Sequence, residues 1–121
     1  MHLSAGDLLR AEMAREGSEY GEMIDRIIKA GEIVPVKVTC NLIKNAMLAS
    51  GWAEKKFLVD GFPRNQDNYD GWQEVMGEIS EVIYCLHFNC DEGVLNDRIM
   101  KRSLVSGRTD DNPETLARRF K

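Results

Sequence analysis

The sequence predicts an α/β fold: a parallel sheet with helices flanking it. Two short apolar runs without helical spacing, residues 57–60 (FLVD) and 82–90 (VIYCLHFNC), read as strands. The near-continuous apolar character of the second fits a parallel strand covered on both faces. A helical stretch between them, residues 66–77, supplies the right-handed crossover that parallel strands require. Further helical repeats stand on either side of this unit, which completes the α/β pattern.

In chain order, Ser4 with Asp7 three residues on resembles a capping box, and Leu8, Leu9, Ala11 and Met13 carry a helix from there to Gly17. Ser18 is placed to cap a second helix with Met23, Ile24, Ile27 and Ile28 on one face and Gly31 as its left-handed C-terminal residue. Pro35 biases Val34 away from the helical region, so Ile33 to Val36 is extended. A third helix starts near Val38 and carries Leu42, Ile43, Ala46 and Met47 to Gly51. After the strand at 57–60, the crossover helix runs despite Gly71, with Tyr69, Trp72, Val75 and Met76 on one side. Asp91 caps a helix that turns Val94, Leu95, Ile99 and Met100 inward. Residues 103–111 read as a loop, and Asn112-Pro113 restarts a helix in cap-then-proline order, continuing to Lys121. Two strands cannot hide both edges and faces of a parallel sheet, so strands missing from this chain are expected, and His2-Leu3 is placed as the tail of a third.

A chain of 121 residues and 13.7 kDa fits one domain, residues 1–121. Its 43% apolar and 30% charged residues are ordinary for a folded globular protein. No run approaches the roughly 20 apolar residues of a membrane helix, and the N-terminus lacks a signal-peptide pattern, so no membrane partner and a cytoplasmic or nuclear location are expected. Cys40, Cys85 and Cys90 form no CxxC pair and read as free thiols of a reducing compartment. His2 and His87 match no metal or triad pattern. The net charge is -4, yet Arg98, Lys101, Arg102, Arg108, Arg118, Arg119 and Lys121 crowd the C-terminal stretch, which suits an anion. Nucleic acid is disfavoured because that cluster has little aromatic interleaving and the chain as a whole is acidic.

Ligands of open parallel sheets bind beyond the carboxyl ends of the strands, where Asp60-Gly61-Phe62-Pro63-Arg64 stands. Gly61 lets backbone approach a ligand, Pro63 stiffens the turn, and Arg64 offers a planar fork of donors to a phosphate. Asp60 at the strand tip suits Mg²⁺ held through water. Taken alone, the tetrapeptide reads equally well as a tight turn with a solvated arginine. With Arg102, Arg108 and Arg119 it makes an inventory for phosphoryl transfer, a reaction that needs alignment and charge neutralisation more than a protein nucleophile.

The stretches HLSAGDLLR, GEIVPV, FLVDGFPRNQDN and SGRTDDNPET occur in that order over nearly the whole chain. Together they resemble the nucleoside monophosphate kinases of the adenylate kinase family, above all the pyrimidine-specific members. The resemblance implies a partial P-loop kinase fold with a helical flap over the monophosphate at residues 4–34 and a short lid at residues 102–111. It implies transfer of the γ-phosphoryl group of ATP, with Mg²⁺, to UMP or CMP and also dCMP, giving UDP or CDP, by a protein that is a monomer when complete. By the same resemblance Arg10 and Arg64 grip the acceptor phosphate, Ser4, Gly61 and Phe62 help form that site, and Ile33 and Val34 lie near the base. Arg102, Arg108 and Arg119 are the catalytic arginines: Arg108 and Arg119 bridge acceptor and transferred phosphates, and Arg102 also contacts ATP. Arg98 stacks on the adenine, Asp60 orders Mg²⁺ through water, and Asp110 and Asp111 anchor the lid arginines.

Asn68 stands where adenylate kinases have glutamine and pyrimidine kinases asparagine, and an amide can meet both uracil and cytosine edges. An adenylate kinase remains the alternative acceptor class. Ser103 departs from a glycine usual after the lid arginine. A larger departure is that nothing here fits G-x-x-x-x-G-K-[ST], which the family carries ahead of the segment where this chain starts. The expectation is therefore an internal part of a kinase, inactive or nearly so as it stands, with a noncatalytic nucleotide- or partner-binding role as the alternative.

Overall fold

The computed structural model describes the backbone of residues 1–119 and the side chains as far as Ala117. The chain divides into two compact units, Met1–Asp25 with Val34–Glu81, and Arg26–Ile33 with the chain from Val82 onward.

The first unit is built on a parallel strand pair. β1 (His2–Ser4) lies beside β2 (Leu58–Asp60) with His2 opposite Leu58, Leu3 opposite Val59 and Ser4 opposite Asp60. The Leu58 N–H donates to the Met1 carbonyl at 2.8 Å, extending the ladder by one bond. The expected third strand at His2-Leu3 is thus present. The unit also holds α1 (Ala5–Ala14), the start of α2 (Gly21–Ala30), α3 (Val36–Ala49), a 3₁₀ turn (Trp52–Glu54) and α4 (Gln66–Met76). Leu3, Ala5, Cys40, Ile43, Met47, Trp72 and Met76 form its core. Burial in that core pushes the Cys40 thiol up to about 11, so it packs as a small hydrophobe.

Local chemistry sets the helix ends. The Ser4 hydroxyl accepts from the Asp7 N–H at 3.3 Å and starts α1 as its spacing predicts. The helix stops at Ala14, short of Gly17. Arg15 leaves the helical region, and its side chain folds back on Glu12 with bonds of 2.9 and 2.6 Å. Ser18 does not cap α2 directly, as the sequence suggested. It donates to Glu12 at 2.7 Å and accepts from the Tyr20 N–H at 3.2 Å, tying the link between the helices. Arg15 first, then Ser18, holds the Glu12 carboxyl down to about 2. α3 begins at Val36, two residues before the expected start, directly after Pro35. The Asn65 side chain caps α4, accepting from the Asn68 N–H at 2.9 Å.

Gly71 looks misplaced inside a helix until its surroundings are seen. A Cβ there would lie 2.4 and 2.6 Å from the two methyl carbons of Val36, so the absent side chain is what lets α4 lie against α3. Helix propensity, worth about 1 kcal/mol against glycine, loses to interhelix packing.

In the second unit, α2 ends with the Glu32 N–H donating to the Ile27 carbonyl at 3.1 Å and the Gly31 N–H to that of Ile28 at 3.0 Å, with Gly31 at φ 73°. This is the predicted left-handed C-terminal residue. A Cβ on Gly31 would also meet the Thr115 methyl at 2.9 Å. α5 spans Glu92–Ser106 and α6 spans Pro113–Arg119. Asp91 caps α5 through the Gly93 N–H at 2.8 Å, and Asn112 caps α6 through the Thr115 N–H at 2.9 Å, both as expected. The last residues expected in this helix, Phe120 and Lys121, lie outside the described residues.

Two expectations fail here. Residues 82–90 form no strand, and Ile83 and Phe88 are 70% and 87% exposed. An apolar run records a segment's preference for burial, whereas a strand exists only through a ladder with a neighbour, and among the described residues none pairs with this one. Residues 103–106, read as loop, continue α5. The Ser103 hydroxyl donates to the Met100 carbonyl at 2.6 Å, so a residue that often competes with helix is accommodated within one. The inward face proposed for α5 is only partly covered: Leu95, Ile99 and Met100 are half-buried and Val94 is exposed.

The Gly71→Ala variant is expected to lose about 1–3 kcal/mol in urea unfolding despite its better helix propensity. Adding Val36→Ala should recover much of that loss, whereas a stabilised single variant would refute the close-packing account of Gly71.

Candidate functional site

Strand register sets out the candidate site of the first unit. Because Ser4 sits opposite Asp60, the first turn of α1 and the turn after β2 leave the sheet at the same end. Both turns carry an arginine that folds back over a glycine. The Arg10 guanidinium pairs with Asp7 and lies 3.2 Å, through both Nη atoms, from where a Cβ on Gly6 would stand. The Arg64 Nε donates to the Gly61 carbonyl at 3.0 Å, and its Nη2 lies 3.6 Å from the Cβ position of Gly61. Gly61 has φ 73°, a conformation that side chains resist, so glycine is required for this turn. Two guanidinium groups are thereby carried by the two segments that leave the same end of the strand pair.

Asn68 is buried at 3% exposure on the first turn of α4. Its Oδ1 accepts from the Arg64 backbone N–H at 3.2 Å, while its Nδ2 makes no hydrogen bond among the described residues. The amide therefore keeps the two N–H donors of its Nδ2 to offer. Phe62 packs against Trp72 with ring centroids 5.6 Å apart, so the tip of the turn is anchored in the core. The Trp72 indole N–H is buried without a partner among the described residues. Asp60 is exposed at the strand tip, and the Ser4 hydroxyl is engaged in capping α1. Val34 is buried and Ile33 is 46% exposed.

In the second unit, a separate arginine cluster lies between α5 and α6. Arg102 grips Asp111 through two bonds, Nε to Oδ2 at 2.8 Å and Nη2 to Oδ1 at 2.6 Å. The Asp111 side chain is fully buried, and the Ser106 hydroxyl also donates to it at 3.1 Å. Ser106 in turn accepts from the Arg108 N–H at 3.3 Å, and the Asp111 N–H reaches the Arg108 carbonyl at 3.4 Å. The Arg102 guanidinium is the main cause holding the Asp111 carboxyl below its ordinary range, and Arg102 is raised in return. This ring fixes the connection that carries Arg108, with Asp110 buried beside it in sequence. Arg98 is exposed on α5, and the side chain of Arg119 lies outside the described residues.

Among the described residues no group of three or more His, Cys, Asp or Glu is placed to hold a metal ion, and no helix is long and apolar enough to cross a membrane. Sequence reasoning missed Asp7 and Ser106 as partners of the site arginines. The Asp7–Arg10 spacing of three residues on one helix was a readable signal for the first. Ser106 had none, because its role depends on a turn that brings it back to Asp111.

Asp111 has a depressed pKa in the folded chain, so its contribution to stability is complete above the ordinary carboxylate value of about 3.9 and is lost as pH falls through the folded value. The Arg102 Nε–H resonance is accordingly expected to hold its shifted position at neutral pH and to move only below about pH 4. In Asp111→Asn it should sit at the unpaired position at every pH, with about 1–2 kcal/mol lost from stability. A parent resonance that ignores acid down to unfolding would contradict the pairing.

Comparison with known proteins agrees with this geometry. The adenylate kinase family model matches residues 1–121, the full chain. Among curated relatives, the UMP-CMP kinase of Gallus gallus is 50% identical over 122 residues, and that of Danio rerio is 51% identical over 122. The UMP-CMP kinase 2 of Caenorhabditis elegans is 53% identical over 119 residues. Each alignment covers 98% of this chain but only 61–62% of the relative, so the chain spans about three fifths of their length. With a family model matched from end to end and the strand-end arginines in place, the chain belongs to the adenylate kinase family.

Proposed function

We propose that this chain carries the acceptor-binding and lid portions of a pyrimidine nucleoside monophosphate kinase, which moves the γ-phosphoryl group of ATP to UMP, CMP or dCMP. The observation that carries the proposal is the pair of arginines, Arg10 and Arg64, folded over glycines at one end of the β1–β2 pair, with the Asn68 amide buried on the neighbouring helix. A phosphate dianion suits two guanidinium forks. The base would meet Asn68 Nδ2, whose carbonyl partner is already occupied. Residues 4–34 form the flap in this account, with Ser4, Ile33, Val34, Gly61 and Phe62 lining the acceptor side, and residues 102–111 the lid.

Arg102, Arg108 and Arg119 would neutralise the charge of the phosphoryl group in flight, the main demand of this chemistry, and Arg98 would lie against the adenine. Magnesium supplies charge neutralisation between phosphates when bound. Asp60, exposed and without a second carboxylate in its turn, fits an ion that keeps its waters, and would hold it through them. No stretch of the chain fits the phosphate-binding G-x-x-x-x-G-K-[ST], and losing such donors costs on the order of 100-fold or more in rate, so these residues alone should bind far better than they turn over. We also expect a monomer working in the cytoplasm or nucleus. A noncatalytic, nucleotide-binding role is the second reading, favoured by that same lack of a matching loop.

Calorimetric titration separates these ideas. UMP and CMP are expected to bind the chain more tightly than AMP, and Arg64→Ala should weaken UMP by about 10- to 100-fold. Tighter binding of AMP would move the chain to the adenylate class, and no nucleotide binding would overturn the acceptor site.

A further inference from the structure

We propose that Gly6 is a positioning residue for Arg10, its missing side chain forming the seat on which the Arg10 guanidinium rests. The inference rests on Arg10 being an acceptor-phosphate ligand, and adds a residue with no assigned role.

Gly6 is the second residue of α1 and has no left-handed backbone, so any residue is sterically allowed there and alanine would favour the helix. A glycine at such a position calls for a local reason. The three atoms nearest a Cβ on Gly6 all belong to one group, Arg10 Nη1 and Nη2 at 3.2 Å and Cζ at 3.5 Å. The two equal distances mean that the guanidinium straddles the spot where a methyl would be. Other glycines differ: Gly71 makes room for Val36 of another helix, and Gly77, just past the end of α4, faces the Gln73 carbonyl.

The geometry follows from helix periodicity. A long side chain at position i+4 leans toward the N-terminus and covers residue i, so Arg10 lies over Gly6, and the Asp7 carboxylate holds it there. A cation at the N-terminal end of a helix is disfavoured by the helix dipole. It is retained here by shape and by Asp7, and an arriving phosphate would relieve that conflict. A methyl group at residue 6 would displace the far end of a flexible side chain by a few tenths of an ångström, which harms a two-pronged grip without disturbing the fold.

The test uses the 121-residue chain with UMP and uridine as probes. Gly6→Ala is expected to unfold at equal or higher urea, to bind UMP about three- to tenfold more weakly, and to leave uridine binding unchanged. In an Arg10→Ala background the same substitution should have no effect on UMP. If Gly6→Ala binds UMP as the parent does while Arg10→Ala is weakened, the seat is refuted and the phosphate role stands. If Arg10→Ala also binds like the parent, or the parent binds no UMP, the acceptor reading fails. The seat is then decided by the Arg10 guanidinium NMR signals, which must shift in Gly6→Ala if it exists and stay fixed if it does not.

Discussion

The site depends on one constraint: β1 and β2 run parallel and in a register that sets Ser4 opposite Asp60. Parallel strands send their chains out at the same end, so α1 and the Gly61–Arg64 turn begin side by side. Antiparallel pairing would send the two arginines to opposite ends of the sheet. Three residues in each strand are enough to fix this, because Leu3 and the core beneath it allow the pair only one face inward. Helix packing then holds the platform, and the contact of Gly71 with Val36 shows how closely α4 must approach α3 to keep Asn65 and Asn68 beside the turn.

Glycines shape the chemistry as much as arginines do. Gly61 supplies a backbone conformation, Gly6 supplies an empty place, and each has a guanidinium lying against it. Arginine is long and adaptable, so a defined grip on phosphate needs a surface to rest on as well as an anchoring carbonyl or carboxylate. In the second unit Asp111, buried and shared between Arg102 and Ser106, holds an arginine in place and makes the turn carrying Arg108 a closed ring.

Local signals in the sequence were dependable where the physics is local. Ser4, Asn65, Asp91 and Asn112 all make side-chain caps, and Gly31 takes the left-handed position its place after α2 predicts. Of these, Asn65 was not singled out, although its spacing from Asn68 had the required form. The strand expected at residues 82–90 failed because pairing is a property of two segments and cannot be written in one. The extension of α5 through Ser106 failed for the opposite reason: loop-like composition was overruled by a side chain satisfied inside the helix. The glycine turn with its arginine after β2 was legible in the sequence, but the seat of Arg10 over Gly6 was not. A glycine in a helix has several explanations, and only coordinates show which atoms fill its space.

The central claim is that Arg10 and Arg64 hold one anion together. The direct measurement is a double-mutant cycle, Arg10→Ala with Arg64→Ala, read by UMP affinity. A shared phosphate predicts strong non-additivity: either single change should remove most of the phosphate-dependent affinity, and the double variant should lose little more. Losses that simply add, to within about 0.5 kcal/mol, would mean that the two arginines act at separate places and would contradict the account.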